Sequence, residues 1–266
     1  MSDLAASRRH PVPAGELTYE PGERRVRGVI GETTVVDSTH PVLVWEPGRP
    51  VPLYAFPAGD VRTDLLTPGA AGRDRPGVRT WYDLTLDGRR FPALAWDYDV
   101  SGEVPELAGH LALDWFGRTS PGVEHWYEEE EEIFVHPRDP YKRVDALPGS
   151  RWVRVSIGGV VVAETRRPVL LFETRLPIRY YIPPEDVHFD RLTPVPLQTS
   201  CPYKGTARYW STPDAPNAAW AYPAPIPAAG PIKDHVAFYN EIVDIEVDGE
   251  LLERPVTPFT SRLAAG

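Results

Sequence analysis

The chain has 266 residues, 42% hydrophobic and 11% aromatic, enough to bury one large core or two of ordinary size. Its 38 acidic residues against 28 basic ones leave a formal charge of -10, which repels phosphate backbones and anionic lipid and argues against nucleic-acid and membrane-surface partners. A single cysteine excludes an internal disulfide and any zinc site built from paired CxxC ligands.

From the N-terminus, "MSDLAASRRHPVPAGELTYEPG" shows no continuous apolar region of the signal-peptide kind, and no later apolar run reaches bilayer length, so a cytoplasmic location is expected. The 31 prolines leave few windows for a helix of ordinary length. Strands are expected instead where Val, Ile, Thr and Tyr concentrate between Gly, Pro and Asp: "RVRGVIGETTVVDS", "HPVLVWE", "WVRVSIGGVVVAET" and "PVLLFETRLPIRYYIP". Helix is expected only in short pieces, such as around "DVRTDLL" and "EDVHFDRL", with Asp60 or Asp186 capping a first turn.

Sliding the chain over itself brings "VRGVIGETTVVDSTHPVLVWE" from Val26 onto "VRVSIGGVVVAETRRPVLLFE" from Val153, pairing Gly31 with Gly158, Pro41 with Pro168 and Glu46 with Glu173. "DVRTDLLTP" then meets "DVHFDRLTP", "RTW" meets "RYW", "AWDY" meets "AWAY", and His110 meets His235. A repeat this long closes its own core, so two tandem homologous domains follow, over 22–135 and 150–255. Residues 1–21 read as an N-terminal extension, 136–149 as a proline-rich connector and 256–266 as a tail. Gly31 and Gly158 are read as turn residues with positive φ, and Trp81/Trp210 and Trp96/Trp220 as paired core positions.

The segments "PVLVWE" and "PVLLFE", "YYIPPEDV", "CPYKGTARYW" and "EEIFVHPRDPYKRVD" together resemble the bacterial and fungal family called domain of unknown function 427, here in a two-copy form spanning roughly residues 24–255. The resemblance implies a mainly β fold of two tandem β-tent (Mss4-like) domains with few short helices. Some relatives of that fold carry zinc through two cysteine pairs; with one cysteine here, no metal is expected, and no cofactor. The family's activity is unassigned, so function has to be read from side chains.

The two copies differ most at "SCPYKGTARYW" against "GRDRPGVRTW", which favours the second domain as the site. There Lys204 and Arg208 would supply positive charge and Tyr203 with Trp210 or Trp220 the walls, with Tyr222 beside them. Cys201 reads either as a nucleophile whose pKa a nearby cation lowers or as a small packed residue. Glu46 and Glu173 follow apolar runs where a buried carboxylate needs a partner, and Arg79 and Arg208 are the expected ones. The run Glu128 to Glu132 reads as a solvated acidic edge; after it come His136, Arg138 and Asp139, a titratable ring, a guanidinium fork and a carboxylate within four residues. The expected function is binding of a small polar or anionic metabolite in or beside the second domain. The alternatives are an enzyme using Cys201 or His136 in nucleophilic or acid-base chemistry, and an adaptor holding a peptide at a sheet edge. Phosphate-binding Gly loops, the HExxH pair and Ser-centred elbows are absent from the sequence.

Overall fold

The runs of β-branched residues form strands, as their composition demands. The computed structural model describes residues 17–49, 51–70, 72, 75, 77–99, 107–115, 122–260 and 263. Two compact units divide along the chain between Asp139 and Pro140.

In the first unit the described strands are β1 (Thr18–Pro21), β2 (Val26–Ile30), β3 (Thr33–Ser38), β4 (Val42–Trp45), β5 (Leu53–Pro57), β6 (Leu66–Pro68), β7 (Val78–Leu86), β8 (Arg89–Tyr98), β9 (His110–Leu113), β10 (His125–Glu128) and β11 (Glu131–Ile133). They make an antiparallel seven-stranded sheet in the order β1-β4-β5-β9-β8-β7-β6 and a four-stranded sheet β11-β10-β2-β3. In the second unit they are β12 (Val144–Pro148), β13 (Val153–Ile157), β14 (Val160–Thr165), β15 (Val169–Glu173), β16 (Arg179–Tyr181), β17 (Thr193–Cys201), β18 (Gly205–Thr212), β19 (Ala215–Ala221), β20 (Val236–Phe238), β21 (Asp244–Val247) and β22 (Glu250–Leu251). Here β12-β15-β16 and β17-β18-β19-β20 are joined where Ile182 and Val236 exchange both backbone hydrogen bonds, which recreates the seven-strand order of the first unit. The sheet β14-β13-β21-β22 repeats β3-β2-β10-β11.

The repetition reaches single hydrogen bonds. Gly22 donates to the Pro41 carbonyl and Gly149 to that of Pro168. The bulge at Gly28/Val29 recurs at Val155/Ser156, and Gly31 and Gly158 both sit in left-handed turns at φ +57° and +56°. The chain is thus mainly β and built from two copies of one domain.

Four expectations change. Residues 144–148, read as connector, form β12 because their alternating side chains pair with β15; β1 likewise extends the first domain back into the N-terminal extension, whose residues up to 16 lie outside the described ones. Asp60 and Asp186 cap no helix: the flanking segments are three-residue 3-10 turns, and the carboxylates instead accept hydrogen bonds from Ser38 and Thr165, each at 2.6 Å. Glu128 is not a solvated edge but is buried, bonded by Arg24, Tyr54 and the Arg138 amide. Lastly, Trp81 does not match Trp210. In β7 the register skips Arg79, so Trp81 faces Trp96 across the sheet, whereas in the second unit Tyr209 faces Trp220. One bulged residue moves every later side chain of β7 to the opposite face, and Trp210 takes the place of Tyr82.

Gly205 opens β18 at φ +105°, where a Cβ would lie 3.0 Å from the Ala224 carbonyl oxygen. Gly205→Ala should lower unfolding free energy by about 1–3 kcal/mol. Gly159→Ala, at φ +79° with open space around it, should cost less. Denaturant melts of the two variants make the comparison, and equal losses would contradict the close approach at Gly205.

Candidate functional site

Glu173 ends β15 with its side chain almost fully withdrawn from water. A buried carboxylate is tolerated only when both oxygens are bonded. Lys204, in the turn between β17 and β18, places Nζ 2.5 Å from Oε2, and Lys142, just before β12, places its own Nζ 3.2 Å from Oε1 and donates to the Thr174 carbonyl. Burial pushes the Glu173 carboxyl upward, but the two ammonium groups outweigh it and hold the group below the usual carboxylate range.

The first unit repeats this clamp with other residues. Glu46, directly after β4, is fully buried and meets Arg75 Nη1 at 2.6 Å and Arg49 Nε at 2.7 Å. Tyr98, the last residue of β8, donates its hydroxyl to Glu46 Oε1 at 3.0 Å. The Arg75 guanidinium also lies 3.9 Å from the centroid of the Trp96 ring, a cation–π contact. Burial drives the Arg75 pKa down and that of the Tyr98 phenol well up. The expected partners are elsewhere: Arg79, in its bulge, binds Asp97, and Arg208 lies over the Trp210 ring, 3.9 Å from Asp234.

The residues singled out in the second domain do not gather in one place. Strand alternation puts Arg208 and Trp210 on one face of β18 and Tyr209 on the other. Trp220 and Tyr222 join Tyr209 and Tyr181 in a packed core, where the Trp220 indole donates to the Tyr181 hydroxyl at 3.1 Å. Burial raises the phenol pKa of Tyr181 and Tyr222. Half-buried Cys201 ends β17, and half-buried Tyr203 lies in the turn that follows. Lys204 is committed to Glu173. His136, Arg138 and Asp139 belong to the first unit: His136 Nδ1 is 2.6 Å from the Pro137 carbonyl, Arg138 pairs with Glu131, and Asp139 is buried.

A feature not anticipated from the sequence lies in the first unit. A cavity of about 400 Å³ opens beside β7, β8 and the start of β9. Leu66, Leu107 and Leu111 line it with apolar surface; Arg79, Tyr82, Asp97 and His110 bring polar groups, and Tyr98 of the clamp forms part of its wall. Asp97 accepts from Arg79, from the Thr80 amide at 2.8 Å and weakly from the Tyr82 hydroxyl at 3.4 Å. Thr63, also in the lining, corresponds to Phe189 in the second copy, and Tyr82 to Trp210 by register. Those two rings pack on each other there with centroids 5.6 Å apart. Thr63 thus leaves space in one domain where, at the matching position of the other, Phe189 lies against Trp210. The signal was present in the two differences Thr63/Phe189 and Asp97/Ala221, but an ungapped match of "RTW" to "RYW" hid the bulge that brings Arg79 in.

The chain belongs to the family described as Domain of unknown function (DUF427), which matches residues 18–129 and 145–249. Comparison with curated proteins yields no match.

Because the folded-state pKa of Glu173 is lowered, its contribution to stability is present above the unfolded carboxyl value of about 4.3 and is lost as pH falls through the folded value. Lys204→Ala should destabilise at neutral pH by about 3–5 kcal/mol and shrink the acid-dependent part of the stability curve. Urea melts from pH 7 downward measure both; a variant with unchanged stability and an unchanged acid limb would contradict the clamp.

Proposed function

From membership of a family without an assigned activity, we propose that this chain is a binding protein for a small, polar-headed metabolite, held in the first domain's cavity. One observation carries the reading: an apolar-walled cavity of about 400 Å³ with convergent polar groups, bordered by Thr63 where the second domain has Phe189 packed on Trp210. Sites for small ligands have this make-up, a largely apolar lining and a few placed polar groups. The second domain supports the reading less well, because the Lys204 ammonium is bonded to Glu173 and Trp210 and Trp220 lie on opposite faces of one sheet. Under this reading the second copy acts as scaffold.

The test is Thr63→Phe, which copies the second domain's plug. Full-length chain is screened by thermal shift against a metabolite-fragment library, and hits are titrated by calorimetry. Hits should bind at one site per chain and lose at least about tenfold in affinity in Thr63→Phe. Hits that bind the variant unchanged would sink the proposal.

A further inference from the structure

We infer that the cavity's ligand is uncharged, a small molecule with an apolar body and a hydroxyl or amide head. This rests on the cavity being the binding site. The lining groups are balanced in charge. Arg79 and Asp97 neutralise each other. Asp97 is nearly buried, its oxygens occupied by Arg79, the Thr80 amide and the Tyr82 hydroxyl. An anionic head would have to draw Arg79 away from Asp97. A cationic head would have to draw Asp97 away from Arg79. In a half-enclosed apolar site either demand costs more than seating a neutral polar group.

The hydrogen-bonding capacity left over suits a neutral head. Arg79 bonds Asp97 through Nη2, while its side chain is 60% exposed, so N–H donors face the opening. His110 Nδ1 lies 3.2 Å from the Ala108 carbonyl oxygen; in the neutral ring that nitrogen donates and leaves Nε2 as an acceptor. An alcohol or primary amide satisfies both at once, accepting from Arg79 and donating to His110 or the Tyr82 oxygen. Leu66, Leu107 and Leu111 then cover the body.

Four probes of matched length separate the classes: hexanol, hexanamide, hexanoate and hexylammonium, titrated into full-length chain by calorimetry or ligand-observed NMR. The neutral pair should bind at least about tenfold tighter than either charged probe. Unbalancing the pair should then reverse the ranking: Asp97→Asn should favour hexanoate, and Arg79→Gln should favour hexylammonium, each by about tenfold relative to hexanamide. The amide oxygen introduced by Asp97→Asn can still accept from the Thr80 amide, and if that variant fails to fold, Arg79→Gln carries the test alone. Tighter binding of a charged probe by the unaltered chain, or an unchanged ranking in the variants, overturns the inference. If a charged probe wins and Thr63→Phe still abolishes its binding, only the ligand class is wrong. If no probe binds, or binding survives Thr63→Phe, the cavity reading falls as well.

Discussion

A glutamate at the end of an apolar strand is the constraint around which each domain is arranged. Glu46 and Glu173 are withdrawn from water, and a lone buried carboxylate would cost several kcal/mol. Each is held by two cations, and except for Arg49, three residues from Glu46, they come from distant parts of the domain, so the bonds that satisfy the charge also fix where those segments lie. In the second unit the clamp ties the β15 end to the β17–β18 turn and to the residues before β12. In the first it also holds the hydroxyl of Tyr98, and Tyr98 forms a wall of the cavity. The two domains meet the same requirement with different chemistry. A planar guanidinium in the first can bind Glu46 and lie over Trp96 together, whereas the ammonium of Lys204 leaves Trp220 to bond Tyr181.

Duplication with divergence then explains why the first domain has open space beside Thr63 where the second carries Phe189. The strand order, the bulge after the first repeated strand and the Ser38–Asp60 and Thr165–Asp186 bonds are shared. Against that common frame, three local changes set the two surfaces apart: Thr63 for Phe189, Asp97 for Ala221, and the extra residue at Arg79. The first removes bulk, the second adds a carboxylate, and the third supplies the matching cation. Each is small, and the strand order of the sheets survives all three.

The frame was legible in the sequence because it depends on patterns that survive comparison of the two halves. Gly31 and Gly158 need left-handed backbone and recur at a constant offset, and the β-branched runs recur with them. The burial of Glu46 and Glu173 was legible too, but their partners were not. Arg75 and Lys204 occupy matching positions, yet only the folded turn shows that they reach inward while Arg79 and Arg208 do not. The cavity escaped for a related reason. A β-bulge has no residue signature here, and skipping one residue sends Trp81 to the face that Tyr209 occupies in the other copy, so the letters align while the side chains do not. The composition of "CPYKGTARYW" drew attention to a turn whose charge is already neutralised.

The central claim is the proposal that ligand recognition belongs to the first domain. Backbone-amide NMR of the isotopically labelled full-length chain, titrated with a saturating neutral probe such as hexanamide, tests it most directly. The account predicts shifts clustered at residues 58–66, 79–82, 97–98 and 107–111, which surround the cavity, with the amides of 199–222 unmoved. Shifts centred on Cys201, Lys204 and Trp220, with the first domain silent, would contradict it.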